Sequence, residues 1–339
     1  MTGLNSVIVM LKEEEFYVRK SEISMLADTG GCNVSEIFTQ DKRPRAKFLV
    51  GTGKVKEIRT FIVEHEVKLV IFENYLNSRQ VMSLEKELRV PVIDKYDLIL
   101  NVFEKHAKSN EAKLQVELAR LKRNIPYIKM AAGIRMKADH PGYGSTGEYI
   151  IHSTIANIHR RIKKIESKLE KYRVRTLQQG IRRRKIGKIV SIVGYTNVGK
   201  TTLLNSLTGT KKEERNELFT TLKSKTSAME GGIFLMDTIG FIRNLPHELI
   251  SAFRATLDEI KNSDLILIVM DASDEKEEFF RKKEICEKTL AKIDAGDVPR
   301  LYILNKIDIG KYSCEDFLGV SALNKTGIRA LQEKIVATL

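Results

Sequence analysis

The eight residues Gly194-Tyr195-Thr196-Asn197-Val198-Gly199-Lys200-Thr201 constrain this chain more than any other segment. They fit the pattern G-x-x-x-x-G-K-[ST], with the apolar run Ile189 to Val193 before them and Leu203, Leu204 and Leu207 after them. A loop of this kind, set between a strand and a helix, lets consecutive backbone N–H groups curl around phosphates at a helix N-terminus. It implies a doubly wound α/β domain whose ligands bind at the carboxyl ends of the strands. There Lys200 is expected to reach the β- and γ-phosphates, and the Thr201 hydroxyl, followed by Thr202, to face Mg²⁺. By contrast, Gly51-Thr52-Gly53-Lys54 lacks the first glycine and the following Ser or Thr, which favours a turn or packing role.

Further apolar runs, Ile233 to Met236, Leu265 to Met270, Leu301 to Leu304 and Phe317 to Val320, read as the remaining strands of that domain, and Thr326 to Leu339 reads as its last helix. Asn305-Lys306-Ile307-Asp308 follows the run Leu301 to Leu304. A carboxylate at Asp308 can accept two hydrogen bonds from guanine N1 and N2, which adenine cannot supply. After the last strand, Ser321-Ala322-Leu323 brings a backbone N–H within reach of guanine O6. Asp237-Thr238-Ile239-Gly240 ends another strand, so Asp237 is a candidate Mg²⁺ supporter and the Gly240 N–H a candidate γ-phosphate sensor. Between it and the loop, Phe219-Thr220-Thr221-Leu222-Lys223 is the candidate first switch, and spacing alone leaves Thr220 and Thr221 equally placed as the second metal-ligating hydroxyl. Catalysis is expected from Lys200, Thr221, Gly240 and Asn197. The side chain of Asn197 either holds K⁺ beside the phosphates or stabilises the loop. Phe241 stands where well-known GTPases carry a Gln that orients the attacking water, so intrinsic hydrolysis is expected to be slow.

The 339 residues are enough for two or three domains. In the first hundred, Ser6 to Leu11, Val34 to Phe38, Val67 to Phe72 and Val90 to Ile93 read as strands. They alternate with helix-like segments around Arg19 to Ala27, Lys54 to Glu64 and Ser78 to Leu88, which implies a small parallel-sheet α/β domain over 1–104. From Glu104 to Asn124 the period is helical. After the interruption Gly133 to Gly147, the residues Ile151, Ile155, Ile158, Ile162, Ile165, Leu169 and Tyr172 make a heptad seam. A long antiparallel helical hairpin over 105–185 is expected, with Gly180 and Arg182 to Lys185 as a linker into a G domain over 186–339.

The net charge of +14 is local: residues 160 to 188 carry 13 Lys and Arg against Glu166 and Glu170, a net +11. Such a block is either solvated or set against a polyanion, of which nucleic acid is the commonest inside cells. No apolar run reaches the roughly 20 residues needed to cross a bilayer, and no leader pattern follows Met1. Cys32, Cys286 and Cys314 are odd in number and far apart, and the six His lack ligand spacing. A cytoplasmic protein with reduced thiols and no membrane partner is expected.

These motifs with their flanks resemble the HflX family of ribosome-associated GTPases. The resemblance rests on Gly194 to Lys200, on Leu218-Phe219-Thr220-Thr221-Leu222, and on Asp237-Thr238-Ile239-Gly240-Phe241-Ile242 with Leu245-Pro246-His247, Ala252-Phe253 and Thr256-Leu257. Towards the N-terminus it rests on Gly51 to Val55, Gln115-Val116-Glu117-Leu118-Ala119 and the basic helices. It implies binding of GTP and GDP with Mg²⁺, binding to the large ribosomal subunit and its RNA, in some members splitting of stalled or idle ribosomes, and Thr221 as the metal ligand. A monomer is expected away from the ribosome. The chain departs from many bacterial members in having Gly144-Ser145-Thr146-Gly147-Glu148-Tyr149 in place of a Gly-Pro-Gly-Glu-Thr-Gln-Leu-Glu run, and in ending at the last G-domain helix. Both departures lean towards an archaeal member. Two other readings compete: a signalling switch that recruits a protein effector, and a nucleotide-driven RNA remodelling factor.

An Asp308→Asn variant should lose GTP affinity by on the order of 10²-fold and gain xanthine nucleotides, whose C2 oxygen needs a donor. Titration with GTP, XTP and ATP measures it, and equal affinity for ATP and GTP would refute the guanine assignment.

Overall fold

The computed structural model describes residues 3–41, 44–138, 144–210, 218–219, 225–238, 240–243, 249, 254–310, 312, 314 and 316–339. It divides into two compact units, one of 1–105 with 116–166, the other of 106–115 with 167–339.

The first unit carries β1 (Leu4–Lys12), α1 (Phe16–Thr29), β2 (Cys32–Asp41), α2 (Thr52–Glu64), β3 (Leu69–Phe72), α3 (Ser78–Leu88), β4 (Val92–Asp94) and α4 (Lys95–His106). The strands form a parallel sheet in the order β2-β1-β3-β4. Parallel neighbours need helical crossovers that cover the sheet, which is why β1 is apolar on both sides: Val7, Ile8, Val9, Met10 and Leu11 are all buried. Val7, Val9 and Leu11 share a core with Val55, Ile58 and Ile62 of α2 and Leu84 and Leu88 of α3. Asn77 and Gln80 cap α3 reciprocally, each side chain accepting the other's backbone N–H. Gly51 caps α2 and its N–H donates to Gln40 Oε1 at 2.7 Å, so the segment Gly51 to Lys54 is a helix start.

Two long helices follow, α5 (Asn110–Ala138) and α6 (Gly144–Ile186). They lie side by side, Arg161 pairing with Glu117 at 2.7 Å and Lys122 with Glu166 at 2.9 Å. The heptad seam explains why, since Ile162 and Ile165 are buried while Arg160, Lys163 and Lys164 are exposed. The linker expected at Gly180 is instead helical. α6 runs through it to Ile186, because one glycine costs a helix only about 1 kcal/mol and the flanking Leu177 and Ile181 line an apolar cavity with Ile189 and Met236.

The second unit is built on β5 (Lys188–Gly194), α7 (Lys200–Thr208), β6 (Lys225–Met229), β7 (Ile233–Asp237), α8 (Arg254–Lys261), β8 (Leu265–Asp271), α9 (Lys276–Lys292), β9 (Arg300–Asn305), β10 (Leu318–Gly319) and α10 (Ile328–Thr338). Its sheet runs β10-β9-β8-β5-β7-β6, parallel except for β6. After β5 the chain goes to one side of it for β7 and to the other for β8, so the loop after Gly194 leaves at the topological switch point. β8 is wholly buried, and on it Phe279 of α9 packs at 4.7 Å from the Tyr312 ring and 5.2 Å from the Phe317 ring. Cys32 and Cys286 are buried free thiols, and burial pushes Cys286 up to about 12.

Because Phe279 is fully buried, truncation to Ala should cost about 3–5 kcal/mol. Denaturant unfolding followed by the nucleotide-binding signal measures it; a loss under about 1 kcal/mol would show that the neighbouring rings collapse into the space.

Candidate nucleotide site

The loop after β5 has its shape from three positions. Gly194 passes so close to β8 that a Cβ there would stand 2.4 Å from the Val269 carbonyl oxygen. Asn197 and Gly199 are left-handed, with φ of 64° and 86°. Asn tolerates that region better than most residues, and at Gly199 a Cβ would also meet Asn305 Nδ2 at 2.5 Å. The chain then enters α7 at Lys200, which sets the loop at a helix N-terminus, an end that favours anions.

Lys200 is buried and its Nζ donates to the carbonyls of Tyr195 at 2.7 Å and Gly194 at 3.3 Å. Burial pulls its ammonium down to about 8, against the opposing pull of Asp237. The Thr201 hydroxyl donates to Asp237 Oδ2 at 2.8 Å, bringing a helix hydroxyl and the carboxylate at the end of β7 together. Hydroxyl and carboxylate oxygens suit Mg²⁺, which takes few protein ligands and completes its shell with phosphate and water. Among the described residues no group of three or more His, Cys, Asp or Glu converges on a metal site. Thr238 is turned to structure, its hydroxyl donating to the Ile192 carbonyl at 2.7 Å. Gly240 sits where a Cβ would stand 3.0 Å from Lys200 Nζ and 2.9 Å from Thr196 Cγ2, so a side chain there would crowd both.

Phe241 is tied to the loop by its backbone and to the core by its ring. Its backbone bridges to the loop, N–H to the Gly194 carbonyl at 3.0 Å and carbonyl to the Thr196 N–H at 2.9 Å. Its ring is buried in the core with Val193, Leu257, Ile260 and Ile268. The residue that replaces the usual Gln is a core side chain rather than one lining the phosphate loop. Thr220, Thr221, Leu222, Lys223 and Ile239 lie outside the described residues; Leu218 and Phe219 just before them are buried, with Phe219 at φ 59°.

The guanine motif is tied into the loop. Asn305 Nδ2 donates to the Val198 carbonyl at 2.9 Å, and Asn305 Oδ1 accepts the Ala322 N–H at 3.0 Å. Lys306 Nζ donates to the Asn197 carbonyl at 2.9 Å and to Asp271 at 2.6 Å. That contact uses the main-chain carbonyl of Asn197 and not its side-chain amide, and nothing in it supports a K⁺ site. The Ser321 hydroxyl accepts from Asn324 N–H, and Ser206 of α7 donates to the Ala322 carbonyl at 2.6 Å. Ile307, Asp308 and Leu323 are exposed beside these anchored neighbours, at the rim where a base would lie. Sequence reasoning missed Asp271 and Ser206. Asp271 was signalled only by an acidic residue ending an apolar strand, and Ser206 by nothing local.

Three family models cover most of the chain: "GTP-binding GTPase N-terminal" over 18–104, "GTP-binding GTPase Middle Region" over 106–184 and "50S ribosome-binding GTPase" over 189–306. GTPase HflX of Methanocaldococcus jannaschii is 38% identical over 308 residues, covering 89% of this chain and 75% of that protein. The chain belongs to the HflX family. GTPase HflX of Escherichia coli is 34% identical, over 87% of this chain and 70% of its own length. A GTP-binding protein from Sulfolobus solfataricus, solved in complex with GDP, is similar across the whole chain, with 29% identity, a TM-score of 0.55 and 98% of its own length covered. This HflX-family chain is thus a GTPase that binds guanine nucleotide. Among the described residues no helix is long and apolar enough to cross a membrane.

The buried Lys200 makes phosphate binding depend on pH. Phosphate oxygens stabilise the ammonium, so the bound pKa must exceed the value of about 8 in this structure, and binding takes up a proton above that pH. Affinity for GTP should be level below pH 8 and fall by up to about tenfold per unit above it, until the bound pKa is reached. Titration of a fluorescent GTP analogue from pH 6.5 to 9.5 measures this; a flat profile would show that Lys200 stays charged throughout.

Proposed function

We propose that this GTPase uses its GTP state to associate with the large ribosomal subunit, through contacts of α6 with ribosomal RNA. In this reading 1–104 is an N-terminal domain, 105–185 a helical hairpin and 186–339 the catalytic G domain. Lys200 would hold the β- and γ-phosphates, Thr201, Asp237 and Thr221 would serve Mg²⁺, the Gly240 N–H would sense the γ-phosphate, and Asp308 would read guanine. Mg²⁺, when bound, would neutralise charge between the phosphates. Turnover stays slow until a partner supplies what the core-facing Phe241 cannot, and subunit splitting would follow from binding in the GTP state.

The observation that carries the reading is the distribution of charge on α6. Arg160, Lys163 and Lys164 are exposed on a 43-residue helix, while Arg161 is engaged by Glu117. Of these four cations, Arg161 is thus the one with a structural task. The description "50S ribosome-binding GTPase" of the matching family model supports the same partner. A signalling switch that recruits a protein effector would leave this basic face solvated, and predicts no loss of subunit binding when its charges are reversed.

Reversing Arg160, Lys163 and Lys164 to Glu should weaken pelleting with large subunits. The salt dependence should become shallower by about 0.7–0.9 log units per log unit of salt for each phosphate the helix no longer neutralises. GTP affinity should stay unchanged, since the nucleotide pocket is built elsewhere. Unchanged subunit affinity and salt slope would remove the RNA-contact role and leave the GTPase assignment intact.

A further inference from the structure

Among the described residues β2 is an edge of the N-terminal sheet, hydrogen-bonded to β1 alone. Its Ile37 N–H donates to the side chain of its neighbour Glu36 at 2.9 Å, so that amide faces the open side of the strand. Backbone groups alternate along a strand, which puts Thr39 on the same open side. Such an edge is a template for one more strand.

Alongside it runs a groove of about 580 Å³ between β2 and α2. Its floor is apolar, Phe38 packing edge-to-face on Phe61 at 5.4 Å. Its helix wall is the stripe Lys54, Glu57, Phe61 and Glu64, at the 3, 4, 3 spacing of one helix face. Glu36, Glu57 and Glu64 are exposed, and the one cation lining the groove among the described residues, Lys54, is bonded to Glu57 at 2.7 Å. The groove thus has a net charge of −2 in a chain of net +14.

We propose that this groove binds an extended, Lys- or Arg-rich polypeptide that adds to β2 as a fifth strand. The open N–H and C=O groups supply the backbone hydrogen bonds, alternate side chains reach the Phe38–Phe61 floor, and the basic ones meet the three carboxylates. Charge selects the occupant. Nucleic acid would set its phosphates against Glu36, Glu57 and Glu64, and a second copy pairing β2 with β2 would set the same carboxylates against each other. From Glu36 to Asp41 the edge offers about 20 Å, room for a strand of six residues.

The test uses the full chain and a fluorescein-labelled nine-residue peptide of alternating Lys and Val, followed by anisotropy at low salt. Saturable binding is expected. The double variant Glu57→Lys, Glu64→Lys should weaken it by about tenfold or more with GTP affinity unchanged, and N-methylation of alternate peptide amides should weaken it similarly. Hydrogen exchange at Ile37 and Thr39 should slow when the peptide is bound. Equal affinity of the charge-reversed protein, tolerance of N-methylation, or unchanged exchange at Ile37 would each overturn the proposal, as would sedimentation showing that β2 is covered by a second copy.

Discussion

The side chain of Asn305 holds the nucleotide unit in one arrangement. Its amide is buried and used in both directions, donating to the Val198 carbonyl and accepting from the Ala322 N–H. A buried amide left half-satisfied costs about 1–3 kcal/mol, so the loops that follow β5, β9 and β10 are held together by one side chain. Lys306 repeats the tie one residue later, to Asn197 and Asp271. Preorganisation follows: the loop after β5 and the Asn305–Lys306 segment are positioned by the protein's own polar groups, and Ile307, Asp308 and Leu323 stand exposed beside them.

A second constraint links the phosphate loop to the segment after β7. The paired backbone hydrogen bonds between Phe241 and the residues Gly194 and Thr196 place Gly240 against Lys200. The buried Phe241 ring anchors that segment in the core shared with Leu257 and Ile260 of α8. On its other side α8 is held by α6, through Arg173 to Asp258 at 2.9 Å and through Arg184 to the Asn262 carbonyl. The C-terminal part of α6 is thereby attached to the helix that follows the Gly240–Phe241 segment.

Much of this was legible in the sequence, for reasons that vary with the element. The strands of both sheets are short apolar runs bounded by charge, and α2 and α3 carry a clear helical period, so their places were readable. α4 was not, because Leu98, Ile99, Leu100, Val102 and Phe103 are all buried and leave no polar face to set a period. β6 was missed because Lys-Thr-Ser-Ala-Met has little apolar signal and pairs antiparallel at an edge. No local pattern marks Arg19, Glu22, Glu73 and Lys95 as partners. In the fold Glu22, Glu73 and Lys95 are buried and Arg19 half-buried, with Lys95 2.9 Å from Glu22 and Arg19 bonded to Glu73.

The sequence by itself determined the family, the two α/β sheets and the paired long helices, and marked the segments Gly194 to Thr201 and Asn305 to Asp308 as the candidate site. Those depend on local spacing, which a chain displays before it folds. Tertiary structure decided what depends on contacts between distant residues. It turned Phe241 into the core, carried α6 through Gly180, committed Asn197 and Lys306 to each other across 109 positions, and left β2 as an open edge beside acidic side chains. A side chain's partner is chosen by the fold that surrounds it, and no local pattern encodes which of many compatible partners that will be.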